Sequence, residues 1–204
     1  MEIDFKKRDH EKPGFLEGHL LIAMPTMDDP RFERSVIYMC SHTDQGAMGI
    51  IINRPAEHID FPELLVQLDI ISEKDTFDLN SRLHNFELMM GGPVENTRGF
   101  VLHSPDYRTP DNTIDIDDGV CLTATVDILR AIARGAGPKE ALLALGYAGW
   151  SPGQIESEVQ ANCWLTCPAT ADILFHEAVD LRYEMALHSI GVDLGFLSNV
   201  AGRA

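Results

Sequence analysis

Cys40, Ser41 and His42 form the local constellation whose chemistry is easiest to name. On a regular strand, residues 40 and 42 project to one face about 7 Å apart, so a thiol and an imidazole there could form an activated nucleophile or share a soft metal. The competing reading is a core cysteine followed by a strand-end histidine satisfied by loop groups. A catalytic cysteine also requires an orienting group and an oxyanion hole, which residue spacing alone does not place.

A second chemistry is anion binding. In Gly91-Gly92-Pro93-Val94-Glu95, followed by Arg98-Gly99, glycines could let backbone N–H groups approach a ligand while Arg98 supplies charge. The run lacks the G-K-[ST] of a phosphate loop, and a glycine turn joining two strands is the simpler account of it. Asn53-Arg54-Pro55 at a strand exit, with Arg31 and Arg34, makes another candidate anion site; the alternative is pairing with the abundant carboxylates.

Cys163 and Cys167 resemble a metal pair until geometry is applied. On a strand they share a face but lie about 13 Å apart, too far for one ion. In a helix the spacing would serve, with only His176 and His188 downstream to complete the set. No metal and no cofactor is assigned. There is no G-x-S-x-G elbow and no G-x-G-x-x-G. Trp150 and Trp164 could anchor a ligand, although core packing serves them as well. Asp115, Asp117 and Asp118 could collect a hard cation but lack a ligand-loop spacing, so a solvated edge is expected.

The elements that must hold these residues alternate between short apolar strands and amphipathic helices. Strands are expected at residues 19–25, 34–42 and 47–53, the last two antiparallel about Thr43-Asp44-Gln45-Gly46. A helix follows from Phe61, then a surface loop over 72–82. Strands at 86–90 and 99–103 are expected to pair as a meander. Residues 113–118 alternate, 120–122 are apolar, and Thr125 can cap a helix to about Arg134. Residues 141–150 suit a strand because Gly146 and Gly149 penalise a helix. Ser151-Pro152-Gly153-Gln154 has capping-box chemistry for a helix to Gln160. Residues 163–167 read as a late strand and 171–190 as one or two helices.

The chain of 204 residues is 45% hydrophobic and carries 16 lysines and arginines against 32 aspartates and glutamates, a net charge of −16. That field opposes phosphate backbones and anionic membranes, so direct nucleic-acid or membrane binding is not expected. Early charges and the lack of a long apolar run argue against export or membrane insertion. Four dispersed cysteines suit a reducing cytoplasm. Residues 1–14 are expected to form a polar tail and residues 15–204 a single domain.

Taken in order, Gly18-His-Leu-Leu-Ile-Ala-Met-Pro25, Asp29-Pro30-x-Phe32-x-x-Ser35-Val36, Tyr38-x-Cys40-x-His42, Gly46-Ala-Met-Gly-Ile-Ile-Ile-Asn-Arg-Pro55, Gly91-Gly-Pro-Val94, Gly99-Phe-Val-Leu-His103 and Leu145-Gly-Tyr-Ala-Gly-Trp150 closely resemble the YqgE/AlgH family of bacterial proteins. The resemblance runs from about residue 15 to the C-terminus. It implies an α/β fold with a bifurcated, partly barrel-like sheet flanked by helices. It also implies a family without an established activity, some members of which are called transcriptional regulators of exopolysaccharide synthesis. The chain departs from the family at Gly202-Arg203-Ala204, where Gly-His-Ala is frequent, and at Cys163 and Cys167, where alanines often stand.

The expectation is therefore a cytoplasmic binding or regulatory module, indirect in any transcriptional effect, with a protein partner or small anionic ligand. Its candidate ligand residues are Asn53, Arg54, Gly91, Gly92 and Arg98. The alternative is a thiol- and histidine-dependent enzyme, a hydrolase or redox sensor, using Cys40 and His42.

Overall fold

The structure, a computed structural model, describes residues 14–74, 76, 83, 86, 88–176 and 178–193. The tail therefore lies outside the described residues apart from Gly14, as does most of the loop expected over 72–82. The strands are β1 (His19–Ala23), β2 (Val36–Thr43), β3 (Gly46–Ile51), β4 (Leu88–Met90), β5 (Val94–His103), β6 (Thr113–Asp115), β7 (Cys121–Thr123), β8 (Ala141–Trp150) and β9 (Trp164–Pro168). The helices are α1 (Phe61–Gln67), α2 (Val126–Ala133), α3 (Gln154–Gln160), α4 (Ala171–Leu174) and α5 (Arg182–Ser189), the last entered through a 3₁₀ turn at Val179–Leu181.

One curled sheet runs β6-β7-β5-β8-β3-β2-β1-β9, and β4 also pairs with β8. The fork lies in β8. Leu143, Ala144 and Leu145 pair with β4 in parallel while Ala141–Leu145 pair with β5 antiparallel; beyond Gly146, Ala148–Trp150 pair with β3. Gly146 has φ +73, and a Cβ there would lie 2.6 Å from the Gly92 carbonyl oxygen. Glycine is what lets β8 turn from one half of the sheet to the other. The result is a mixed α/β half-barrel with a bifurcated sheet.

The inner face carries a large apolar cluster, including Leu20, Tyr38, Ile50, Phe100 and Leu142, closed by Ile173, Leu174, Tyr183 and Leu187 from α4 and α5. The outer face is divided. Leu21, Ile37, Ile51 and Trp150 pack under Ile155 of α3, whereas Val101 and Leu143 pack under Phe61 and Leu65 of α1 and Ile128 and Ile132 of α2. Each such burial contributes roughly 1.5–3 kcal/mol. Strands with both faces covered read as continuous apolar runs, as β1 to β3 do.

Four local expectations are corrected. The strands ending at Met90 and beginning near Gly99 do not form a meander with each other; both pair with β8, on opposite edges. The second of them starts earlier, at Val94, and its exposed first half leaves register between Val94 and Gly99. Ser151 does not cap α3: Gly153, at φ 74, takes that position, although the Gln154 side chain still accepts from the Ser151 N–H. Thr125 stands at the N-cap of α2 but makes no capping hydrogen bond. Asp60 and Glu63, by contrast, form a complete capping box on α1.

Candidate functional site

The strand that carries Cys40 and His42 is not regular. Met39 pairs with Gly49 and Ser41 with Met48, so β2 spends two residues against one on β3, and the surplus is a bulge at Cys40. Alternation restarts after it. Cys40 belongs with Tyr38 and Met48 in the inner cluster, while His42 pairs with Ala47 of the outer cluster and meets α3. The expectation that a thiol and an imidazole share one face is therefore overturned by a single inserted residue.

Cys40 is 2% exposed, and its Sγ lies 3.7 Å from the Tyr38 carbonyl oxygen. Burial pushes the thiol well above the ordinary thiol range, and the charge of Glu17 adds to the shift. It is held as S–H, a poor nucleophile at neutral pH. His42 is 3% exposed. Its Nδ1 accepts the Leu16 N–H at 3.0 Å, so Nε2 carries the proton and donates to Glu156 Oε1 at 3.1 Å. The Phe15 ring lies edge-on to the imidazole at 5.0 Å. His42 thus ties the chain entering β1 to helix α3.

Asn53, Arg54, Gly91 and Gly92 are brought together by backbone hydrogen bonds. Met90 N–H donates to the Arg54 carbonyl and Ile51 N–H to the Gly91 carbonyl. Asn53 Oδ1 accepts the Val36 N–H at 2.7 Å, and its Nδ2 donates to the Arg34 carbonyl at 2.9 Å. The Arg54 guanidinium donates to the carbonyls of Arg31 and Glu33. Both side chains pin the turn leading into β2. The Gly91 N–H is occupied by the Leu145 carbonyl, and a Cβ at Gly92 would come within 2.1 Å of the Tyr147 carbonyl carbon. These glycines permit the close approach of β8. Arg98 stands apart on the exposed half of β5, paired with Glu95 at 3.1 Å and lying over the Phe100 ring.

Three polar groupings were not legible in the spacing. The first is a chain of hydrogen bonds on the β5-β7-β6 wing. His103, with no exposed surface, donates from Nδ1 to the Ser104 carbonyl and accepts at Nε2 from Thr123 Oγ1, 2.9 Å away; Thr123 in turn meets Thr113 Oγ1 at 3.0 Å. Burial lowers the His103 pKa below the usual imidazole value. The second is Cys121, whose S–H donates to Asp115 Oδ1 at 3.2 Å while Arg108 pairs with the same oxygen at 2.6 Å. Burial first, then that hydrogen bond, pushes the thiol up to about 11, leaving it protonated at neutral pH. The third is Glu158, whose Oε2 accepts the indole N–H of Trp150 at 2.9 Å and of Trp164 at 2.8 Å. Both tryptophans are core residues at 3% exposure. The pairings join separate elements, 6 to 20 residues apart, at spacings set by how those elements pack, which is why no motif marks them.

Among the described residues, no three histidine, cysteine or acidic side chains gather as a metal site, and no helix is long and apolar enough to cross a membrane. The architecture is thus that of a mixed α/β half-barrel protein whose imidazoles and thiols at β2 and β7 are engaged in internal hydrogen bonds.

The AlgH-like family profile matches residues 20–195, and the chain belongs to that family. A UPF0301 protein of Rhodopseudomonas palustris (strain BisB18) is 62% identical over 205 residues, covering 97% of this chain and 96% of that protein. Another UPF0301 protein, from Methylobacterium sp. (strain 4-46), is 59% identical over 94% of this chain and 91% of its own length. The solution structure of the AlgH protein from Pseudomonas aeruginosa superposes with a TM-score of 0.75 at 40% identity, covering 97% of this chain and all of that one. Protein DIP2367 from Corynebacterium diphtheriae shares the fold, with a TM-score of 0.65 at 18% identity over 90% of this chain and 91% of that one.

Proposed function

We propose that the chain is a cytoplasmic binding and regulatory module acting through a protein partner or a small anionic ligand, and that any effect on transcription passes through that partner. The observation carrying this reading is the separation of Cys40 from His42 by the sheet, with both buried and both committed to internal partners. A thiol enzyme would need them on one accessible face.

The turn leading into β2 supports the binding half of the proposal. In a chain of net charge −16, Arg31 and Arg34 stand exposed there, the Arg31 carbonyl held by Arg54 and the Arg34 carbonyl by Asn53. Arg31 is neutralised by Asp29. The Arg34 guanidinium lies 4.8 Å over the Tyr183 ring, and among the described residues no carboxylate pairs with it. An exposed guanidinium stacked on an aromatic ring suits a carboxylate or phosphate group. The overall charge argues against DNA as that anion.

The test is affinity capture from a cell lysate with the native chain, Cys40→Ala and Arg34→Ala. A specific partner recovered equally by the first two and lost with Arg34→Ala is expected. Loss of the partner with Cys40→Ala, or catalytic turnover abolished by that change, returns the thiol-enzyme reading.

A further inference from the structure

The sheet ends at β6 on one side and at β9 on the other, and the two ends are built differently. A strand with an outward row of main-chain donors and acceptors is a template for another strand, and chains guard such an edge with charge, brevity or cover. β6 is guarded. It is three residues long, Asp115 on it pairs with Arg108, and the loop before it turns back so that the Thr109 carbonyl takes the Thr113 N–H.

β9 is not guarded in these ways. It runs five residues, Trp164–Pro168, and from Val159 to Ala171 the chain carries no charged side chain, although Glu158 and Asp172 flank that stretch. The Cys163 carbonyl accepts the Met24 N–H and the Ala169 N–H donates to the Gly18 carbonyl, so the odd-numbered positions face β1. Alternation turns the main-chain groups of Trp164, Thr166 and Pro168 outward, where no other described residue bonds to them. Pro168, without an N–H, limits that row only at its last position.

A second copy supplies a matching strand. Antiparallel pairing about a twofold axis at Thr166 sets each Thr166 N–H against the Thr166 carbonyl of the other copy, and each Trp164 N–H against its Pro168 carbonyl. The missing proline N–H then falls at the outermost rung. Two chains of net charge −16 repel each other over most of their surfaces, but along β9 no charged side chain opposes the approach. Leu165 and Ala169 beside the inner cluster, and Val159 and Cys163 beside the outer one, are partly buried and add apolar surface on the two sides of the strand. The sheet of such a pair ends at the guarded β6 in both copies.

We propose that two copies of the chain join through β9, which pairs with itself antiparallel about Thr166 and makes one continuous sheet. A contact this short is weak, and the native chain should pass from monomer to dimer between about 1 and 100 µM. Sedimentation velocity over that range is the first measurement; a native chain still monomeric at about 100 µM overturns the proposal. The second uses Thr166→Asp and Thr166→Lys, each checked for native far-ultraviolet circular dichroism. Each alone sets like charges together at the twofold axis and should weaken dimerisation by about tenfold or more, whereas an equimolar mixture of the two should restore it. A dimer that both variants leave intact, or that the mixture fails to restore, is joined elsewhere and overturns the proposal.

Discussion

Cys40 and His42, two residues apart on β2, lie on opposite faces of the sheet because a bulge at Cys40 resets the alternation. Each therefore has its own partners, Tyr38 within the strand for the thiol and Leu16 and Glu156 for the imidazole. Their consequences separate experimentally.

The Cys40 thiol should resist alkylation at neutral pH in the native protein, since it is buried and held protonated. Timed labelling with iodoacetamide, read by peptide mass, should modify Cys163 first, while Cys40 reacts only on addition of denaturant. Rapid native labelling of Cys40 contradicts this.

His42→Ala leaves the Leu16 N–H without its acceptor and should cost about 1–3 kcal/mol. Glu156→Gln keeps a side-chain oxygen for Nε2 at a half-exposed position and should stay within about 0.5 kcal/mol of the native chain. Urea midpoints of the two variants check the ordering.

Glycine positions that look alike in sequence should differ sharply. Gly135→Ala, at φ +70 with nothing within 4 Å of its added Cβ, carries only the left-handed penalty of about 1–2 kcal/mol. Gly92→Ala would drive a methyl into the Tyr147 backbone and should yield no soluble folded protein. Soluble expression and melting temperature report the contrast.

Glu158→Ala strands two indole N–H groups, at about 1–3 kcal/mol each. The variant should melt at lower temperature, and its near-ultraviolet circular dichroism should lose tryptophan signal, because the edge-to-face pair 6.2 Å apart is held by that carboxylate.

Burial of His103 places its folded pKa below its unfolded value near 6.5. The unfolded chain therefore takes up the proton first, and the stability contributed by neutral His103 is present above that value. It is lost as pH falls from about 6.5 towards the folded value, at no more than about 1.4 kcal/mol per pH unit. Asp29 and Asp106, whose pKa values are lowered by hydrogen bonds from Arg31 and Ser104, act in a separate window below their ordinary 3.8. Chemical denaturation between pH 7.5 and 5.5 should show a decline that His103→Gln flattens; equal slopes for the two proteins contradict the assignment.

What the sequence determined by itself was local. Apolar runs marked β1, β2 and β3, the glycines of 141–150 separated strand from helix at β8, and helical spacing from Phe61, with Pro62 near the start, marked α1. The ordered motifs were specific enough to identify the AlgH-like family. Those features survive because hydrophobic period, backbone propensity and capping act over a few residues.

The tertiary structure decided the rest. A bulge depends on how β2 aligns with β3, and one extra residue inverts every side chain beyond it, so Cys40 and His42 looked adjacent and are not. Asn53, Arg54 and Gly91 did converge, yet their hydrogen-bonding groups were claimed by Val36, Arg31, Glu33 and Leu145 through packing that only the assembled sheet supplies. The Glu158 clasp and the His103–Thr123 pair arise where separate elements meet, and β8 forks because Gly146 meets Gly92 from a strand more than fifty residues away. Side-chain chemistry is written in residue types, but whether a group stays available is set by which distant strand reaches it first.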